Sequence, residues 1–119
     1  MDQEGDSRAM GSGDVLTPEM LRGCAEPAKA ERMAAALISG PEFYQACGRT
    51  LLARFLLAAG RSGADVATMV RWIENPSDPT PLLVLCEHAE DLPEGWVQMP
   101  VMPEDVQASA RYMALLAVS

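Results

Sequence analysis

The stretch from Pro41 to Asn75 constrains the fold of this chain more than any other, because its first half is apolar on nearly every side. After Thr50 the sequence reads LLARFLLAA before Gly60. Helices with apolar residues around their whole circumference are typically surrounded by other elements of a protein. Proline readily starts helices and glycine ends them, so the sequence predicts a buried central helix from Pro41 to Gly60.

A second helix follows directly and has an amphipathic pattern. Ser62 and Asp65 resemble a capping box with aspartate in place of the usual glutamate, and they predict a helix from Gly63 to Glu74. Asn75 precedes a proline, which disfavours any further helix. Apolar residues recur at helical spacing in this segment, so we expect them to pack on the central helix. They are Val66, Met69, Val70 and Ile73.

The remaining segments also have helical patterns, and none has the alternation of a strand. The predicted elements are a short turn after Thr17, a helix from Pro27 to Gly40, a helix from Leu82 to His88 and a last helix starting at Pro103. The segment from Leu92 to Pro103 holds three prolines and a glycine and is predicted to be irregular, with Trp96 as its anchor. We therefore predict an all-α fold, a compact orthogonal or irregular bundle of about five helices with no sheet.

Two of these helices are predicted to bury faces of small or flexible residues. The face of the helix after Pro27 consists of Ala30, Met33, Ala34 and Leu37. The face of the last helix consists of Val106, Ala110, Met113 and Ala117.

Length and composition indicate one domain. The chain has 119 residues, of which 49% are apolar, enough for a hydrophobic core. Residues 1–13 are small and polar and are predicted to be disordered or left over from expression, so residues 14–119 form the predicted domain. No uncharged apolar run is long enough to span a membrane and no signal peptide is indicated, so we expect a cytoplasmic location. The wide spacing of Cys24, Cys47 and Cys86 favours free thiols.

The charge distribution argues against tight nucleic-acid binding. The net charge is −8, and residues 73–119 contain eight acids but only one base, Arg111. The chain has one lysine, Lys29, and its arginines are scattered through the predicted core helices. Binding to a phosphate backbone requires clustered basic residues, so we expect no direct tight contact with DNA or RNA.

No catalytic, metal or cofactor site is predicted. Neither Gly11-Ser12-Gly13 nor the GRSG sequence at 60–63 is followed by the lysine of a phosphate-binding loop. Cys86 and His88 are too few for zinc and match no recognisable nucleophile motif. We therefore expect a protein that is not an enzyme and needs no cofactor.

The predicted partner-binding residues are two tryptophans and a group of acids, and each set has a structural alternative. Trp72 and Trp96 are candidate anchors for a partner, although tryptophans beside a core stripe also pack against loops. The acids are candidates for attracting a basic partner, although they are equally consistent with a solvated surface. These acids are Glu87, Glu90, Asp91 and Glu94.

Several short motifs, in order, resemble a known family. They are LRGC at 21–24 with EP at 26–27, EFY at 42–44, LAA at 57–59, and VRW at 70–72 followed by Pro76. Together they resemble the all-alpha domain of actinobacterial TraD/TraG-like type IV coupling proteins, the ATPases of conjugation systems. The resemblance covers roughly residues 20–90. It carries over Arg71 and Trp72 as the structural end of a helix.

The resemblance implies a function for the domain. In that family the helical domain is inserted into a hexameric, membrane-anchored ATPase, faces the cytoplasm and helps to recognise the relaxase-DNA substrate. This chain contains no Walker A motif, no Walker B motif and no membrane span, so ATPase activity does not carry over. The resulting hypothesis is a substrate-recognition domain that binds a relaxase or an accessory protein of the relaxosome. The alternative is a small helical ligand-binding or regulatory domain with a pocket between the central helix and the Trp96 segment.

Overall fold

The computed structural model describes residues 16–87, 89–93, 95–96 and 101–118 of the chain. These residues form six α-helices, and none of them is in a β-strand, which confirms the predicted all-α fold. A 3₁₀ turn at Ala89–Asp91 follows the fifth helix. The helices are α1 (Pro18–Gly23), α2 (Pro27–Leu37), α3 (Phe43–Ser62), α4 (Val66–Glu74), α5 (Thr80–Glu87) and α6 (Glu104–Val118). The tail predicted at residues 1–13 lies outside the described residues.

Helix α3 is the centre of the bundle and packs against each of the other five helices. Its second half is enclosed on every side, as its apolar circumference predicts. Leu56 has no exposed surface, and Phe55 retains only 1%. The other buried residues of this half are Leu51, Leu52, Ala53, Leu57, Ala58 and Ala59.

The ends of α3 differ from the prediction. Glu42 precedes the helix and forms a reciprocal capping box with Gln45, so Pro41 lies outside. The predicted end at Gly60 is wrong, because α3 continues to Ser62 and stops where Gly63 adopts a left-handed conformation with φ of 75°. Asp65 then caps α4 by accepting a hydrogen bond of 2.8 Å from the Thr68 backbone N–H, so α4 begins at Val66 instead of Gly63.

Gly60 instead provides space for the connection between α1 and α2. A Cβ atom at this position would lie 2.6 Å from the Ala25 nitrogen, 2.8 Å from the Cys24 carbonyl carbon and 2.9 Å from the Leu21 oxygen. All three are backbone atoms, which cannot move aside as a flexible side chain can. The glycine signal in the sequence therefore marks a close approach between elements and not a helix end.

The buried faces of the other helices are rotated slightly from those predicted. Helix α2 buries Ala30 and Ala34, as expected, but Met33 and Leu37 are only half-buried. On α4 the buried residues are Met69, Trp72 and Ile73, whereas Val66 and Val70 are half-buried. Helix α6 buries Val106, Ala110, Ala114 and Val118, while Met113 and Ala117, which were predicted to be core residues, are half-buried. The four buried residues recur at every fourth position and form one stripe, so Met113 and Ala117 lie one position to its side, at the edge of the core.

The burial of Leu56 generates a stability prediction. Leu56→Ala is expected to lower the free energy of unfolding by about 2–5 kcal/mol, because the substitution loses transfer energy and leaves a cavity. Denaturant unfolding followed by circular dichroism measures this change. The matched control is Leu83→Ala on α5, where the side chain is 58% exposed and a loss below about 0.5 kcal/mol is expected. Equal losses for the two variants would contradict the central position of α3.

Gly60 and Gly23 form a second matched pair. Gly60→Ala is expected to destabilise the protein by about 1–3 kcal/mol despite the better helix propensity of alanine, because the new methyl group overlaps backbone atoms of another segment. Gly23 is also helical, but no atom lies within 4 Å of a Cβ built there, so Gly23→Ala is expected to be neutral or stabilising. Thermal unfolding compares the two variants. A Gly60→Ala protein as stable as Gly23→Ala would show that the α1–α2 connection is not held against α3.

The cap of α4 predicts a pH dependence of stability. The Thr68 hydroxyl, followed by the Thr68 backbone N–H, holds the pKa of the Asp65 carboxyl below its usual value. A carboxyl whose pKa is lower in the folded state than in the unfolded state stabilises the protein fully at pH values above its unfolded-state pKa. This contribution is lost as the pH falls through the folded-state pKa. Asp65→Asn retains a capping acceptor that does not titrate. The melting temperature of the wild type is therefore expected to fall more steeply than that of Asp65→Asn below about pH 4. Parallel curves for the two proteins would contradict a stabilising charge at this cap.

Candidate functional site

The most distinctive surface in the described part of the chain is a group of exposed apolar and aromatic side chains, which we call the aromatic face. Its exposed members are Phe43 and Tyr44 at the start of α3 and Tyr112 and Leu116 on α6. The half-buried Met113 on α6 also belongs to it. Phe43 is 63% exposed, Tyr112 62%, Leu116 58% and Tyr44 42%. Large apolar side chains of this kind are usually buried, so their clustering at one place on the surface requires an explanation.

The aromatic face is continuous because Met113 borders two shallow depressions. One, of about 350 Å³, lies between Tyr44 and the α6 residues Ala108, Ser109 and Tyr112. The other, of about 400 Å³, lies between Leu116 and the end of α2 at Leu37 and Ile38. The Phe43 and Tyr44 rings meet edge to face, with centroids 5.5 Å apart. The surface therefore combines rigid aromatic edges with a flexible methionine at its centre.

The packing of α6 explains why this face is exposed. A Cβ atom at Gly48 would lie 3.2 Å from the Met113 Cβ and 3.6 Å from the Ala110 oxygen, so the glycine allows α6 to lie close to α3. The inward positions of α6 are then filled by the four small side chains named above. Tyr112 and Leu116, which are one helical turn apart, remain on the outer side. The sequence contains this signal as apolar residues outside the predicted buried face, and our sequence analysis missed it.

The two tryptophans predicted as partner anchors lie inside the protein. Trp72 is 5% exposed and Trp96 is 6% exposed. The Arg54 guanidinium lies over the Trp96 ring at 4.3 Å from its centroid and donates a hydrogen bond of 3.2 Å to the Gly95 oxygen. Their positions match the packed alternative. Their role in partner binding remains a prediction, and these buried side chains do not belong to the aromatic face.

The predicted acidic residues lie at and after the end of α5. Glu87, Glu90 and Asp91 are exposed, and an Asp91 carboxylate oxygen lies 3.7 Å from the Arg61 Nη1. This pair is largely open to solvent at the aspartate and contributes little to stability. Glu94 lies outside the described residues, as does His88. The structure leaves the role of the acids in partner attraction as a prediction.

The arginines of α3 hydrogen-bond to backbone carbonyls of neighbouring loops, a role that the sequence did not predict. The Arg49 Nη1 donates to the oxygens of Ile38 and Gly40, at 3.1 and 2.9 Å. The Arg61 Nε donates to the Ala25 oxygen at 2.6 Å. Together with Arg54, these side chains connect α3 to three separate loops. Their cations are thus used to satisfy backbone carbonyls and do not form a basic patch.

The chemistry available to the described side chains is limited. None of the three cysteines forms a disulfide, as predicted, and burial raises the pKa of the Cys24 thiol, which disfavours its reactive thiolate form. Within the described residues no three His, Cys, Asp or Glu side chains are placed to hold a metal ion. None of the helices there is long and apolar enough to cross a membrane.

The comparisons with known proteins identify no relative. No protein-family model, no curated protein and no solved structure matches this chain.

Proposed function

We propose that this chain is a helical protein-interaction module without catalysis of its own, and that it binds its partner through the aromatic face. The observation that carries the proposal is the exposure of four large apolar side chains on one side of the molecule, with the half-buried Met113 bordering the depressions that join them. These four are Phe43, Tyr44, Tyr112 and Leu116. Aromatic residues and methionine are enriched in the cores of protein interfaces, where they bury large areas on association. Two tyrosines additionally offer hydroxyl groups at the rim of such a contact.

The charges beside the aromatic face support a basic partner. Glu104 and Asp105 are exposed in the first turn of α6, and Glu104 lies one turn before Ala108, which lines the depression beside Tyr44. Glu42 precedes Phe43 at the start of α3 and is also exposed. A partner with apolar side chains flanked by Lys or Arg would complement this arrangement. The net charge of −8 would accelerate its approach.

The more specific form of the proposal is the substrate-recognition domain of a type IV coupling protein. It rests on the sequence resemblance alone. In this form the partner is a relaxase or an accessory protein of the relaxosome, and the module acts on the cytoplasmic face of the membrane, where the parent ATPase is anchored. The basic, partly apolar partner inferred from the aromatic face is compatible with such a protein. The module itself would not bind nucleic acid tightly.

A panel of labelled helical peptides tests the proposed interaction. The peptides share one apolar face and carry lysine, glutamate or serine on the opposite face. Fluorescence anisotropy is expected to show that the wild-type domain binds the lysine peptide most tightly and the glutamate peptide most weakly. Tyr112→Ser combined with Leu116→Ser is expected to weaken binding of the lysine peptide by about tenfold or more, because these side chains would be buried in the complex.

Two controls separate the aromatic face from a general charge effect. Leu83→Ser removes a side chain of similar exposure on α5 and should leave the affinity unchanged. Reversing Glu87 and Glu90 to lysine should slow association without changing dissociation, since exposed charges act mainly on the rate of encounter. If the double variant on α6 binds as the wild type does, or if a lysine peptide without an apolar face binds equally well, the aromatic face is not the binding surface. If the charge reversal has no kinetic effect, these acids are only solvated surface.

A further inference from the structure

A small pocket lies at the C-terminal end of α4 and is separate from the aromatic face. Its volume is about 150 Å³. Trp72 and Asn75 contribute from the end of α4, Pro81 and Leu82 from the start of α5, Phe55 from α3, and Arg111 from α6. The walls thus combine apolar side chains with polar and charged groups. Apolar walls with a few placed polar groups are typical of sites for small ligands, and this pocket has a larger polar share.

Arg111 is held in this pocket with part of its hydrogen-bonding capacity unused. Its Nη1 donates a hydrogen bond of 2.7 Å to the Ile73 oxygen, and its guanidinium lies 5.6 Å from the centroid of the Phe55 ring. Its Nε is buried without a hydrogen-bond partner, and no carboxylate of the described residues forms an ion pair with it. Burial lowers the pKa of Arg111, consistent with a cation that has lost water without gaining a counter-ion.

Trp72 supplies a second unused donor. Trp72 is only 5% exposed, yet its indole N–H forms no hydrogen bond within the described part of the chain. Among the described residues, the Arg111 Nε is the only side-chain nitrogen or oxygen that is both buried and unpartnered. The Trp72 Nε1 and the Arg111 Nη2 are therefore unpartnered but still reachable from outside. Both residues line the same pocket.

The hydrogen bond from Arg111 to Ile73 has a structural role, but it does not explain the unpartnered N–H groups of Arg111 and Trp72. Ile73 lies in the last turn of α4, so the arginine satisfies a terminal carbonyl and connects α6 to α4. This bond uses only Nη1. An unpaired polar group is costly when it is removed from water, and among the described residues the buried Nε of Arg111 has no acceptor.

Asp78 restricts the class of ligand that could accept a hydrogen bond from Arg111. Its carboxylate also lines the pocket and accepts hydrogen bonds from the Thr80 backbone N–H at 2.9 Å and the Thr80 hydroxyl at 2.7 Å. It forms no ion pair with Arg111, so the two charges stand farther apart than direct contact allows. The Asp78 carboxylate would repel a multiply charged anion such as phosphate. It would attract a ligand that carries an anionic group for Arg111 at one end and a cation at the other.

We propose that this pocket binds a small amino carboxylate, with its carboxylate held by Arg111 and the Trp72 indole N–H and its ammonium group directed towards Asp78. The planar guanidinium fork matches the geometry of a carboxylate. The small volume restricts the ligand to a few non-hydrogen atoms beyond these two groups. This site is independent of the proposed protein-interaction surface, since it shares no residue with the aromatic face.

Nuclear magnetic resonance of the ¹⁵N-labelled protein tests the proposal with glycine as the probe. The chain contains two tryptophans, so the Trp72 indole signal reports on the pocket and the Trp96 signal serves as an internal control. The Trp96→Phe variant assigns the two signals. Glycine is expected to shift the Trp72 indole signal in a saturable manner in the millimolar range, as befits so small a ligand, and to leave the Trp96 signal in place.

Probe and residue variants separate specific binding from a salt effect. Acetate, which lacks the ammonium group, should bind more weakly than glycine, and sodium chloride at equal ionic strength should give no saturable shift. Arg111→Lys keeps the charge but not the fork and should weaken glycine binding by about tenfold. Asp78→Asn should remove the preference for glycine over acetate, while Tyr44→Ser on the aromatic face should bind glycine as the wild type does.

Several results would overturn the proposal. These are a Trp72 shift that is linear and equal for glycine and sodium chloride, equal shifts of both indole signals, or unchanged binding in an Arg111→Lys protein that melts like the wild type. Equal affinities of the wild type for acetate and glycine would overturn the assignment of the ligand as an amino carboxylate. If Arg111→Lys does not fold, Asp78→Asn still decides that assignment, because Asp78 is exposed enough to be replaced without loss of packing.

Discussion

The enclosure of the second half of α3 is the constraint on which the rest of the structure depends. A helix in this position contributes the largest share of the apolar core, but every charged residue along it must reach an acceptor or solvent. Arg49, Arg54 and Arg61 do so by extending to carbonyls of the α2–α3 loop, the Trp96 segment and the α1–α2 connection. The three arginines that interrupt the apolar sequence are therefore what fixes the surrounding loops to the central helix.

The second feature of this architecture is the close approach of neighbouring segments to α3 at two glycines. Gly60 admits the backbone of the α1–α2 connection, and Gly48 admits α6, so both neighbours lie nearer to α3 than a larger residue would allow. Interiors are packed at high density, and a small residue on one element therefore determines where the next one lies. This placement of α6 buries a stripe of alanines and valines and leaves Tyr112 and Leu116 outside. The aromatic face is thus a consequence of how the core is packed.

The two proposed sites use different physics. The aromatic face offers a broad apolar area with acids beside it, which suits a protein partner whose binding energy comes from burial and whose approach is assisted by charge. The pocket lined by Arg111 places a cation and the Asp78 carboxylate around a small, partly polar space, which suits a small charged ligand. Neither contains a nucleophile or a general base positioned for reaction.

The amino-acid sequence by itself determined the helical class, the central position of α3 and the burial of Leu56, because an unbroken apolar circumference has few other uses in a water-exposed domain. It also determined the cap at Thr17, whose side chain accepts from the Met20 N–H as its position before Pro18 predicts. Only the tertiary structure decided the role of Gly60, the carbonyl partners of the arginines, the outward side of α6 and the convergence of Trp72 with Arg111. These features depend on contacts between residues far apart in sequence. Local periodicity records which residues share a face of one helix, but it carries no information on which neighbour that face will meet.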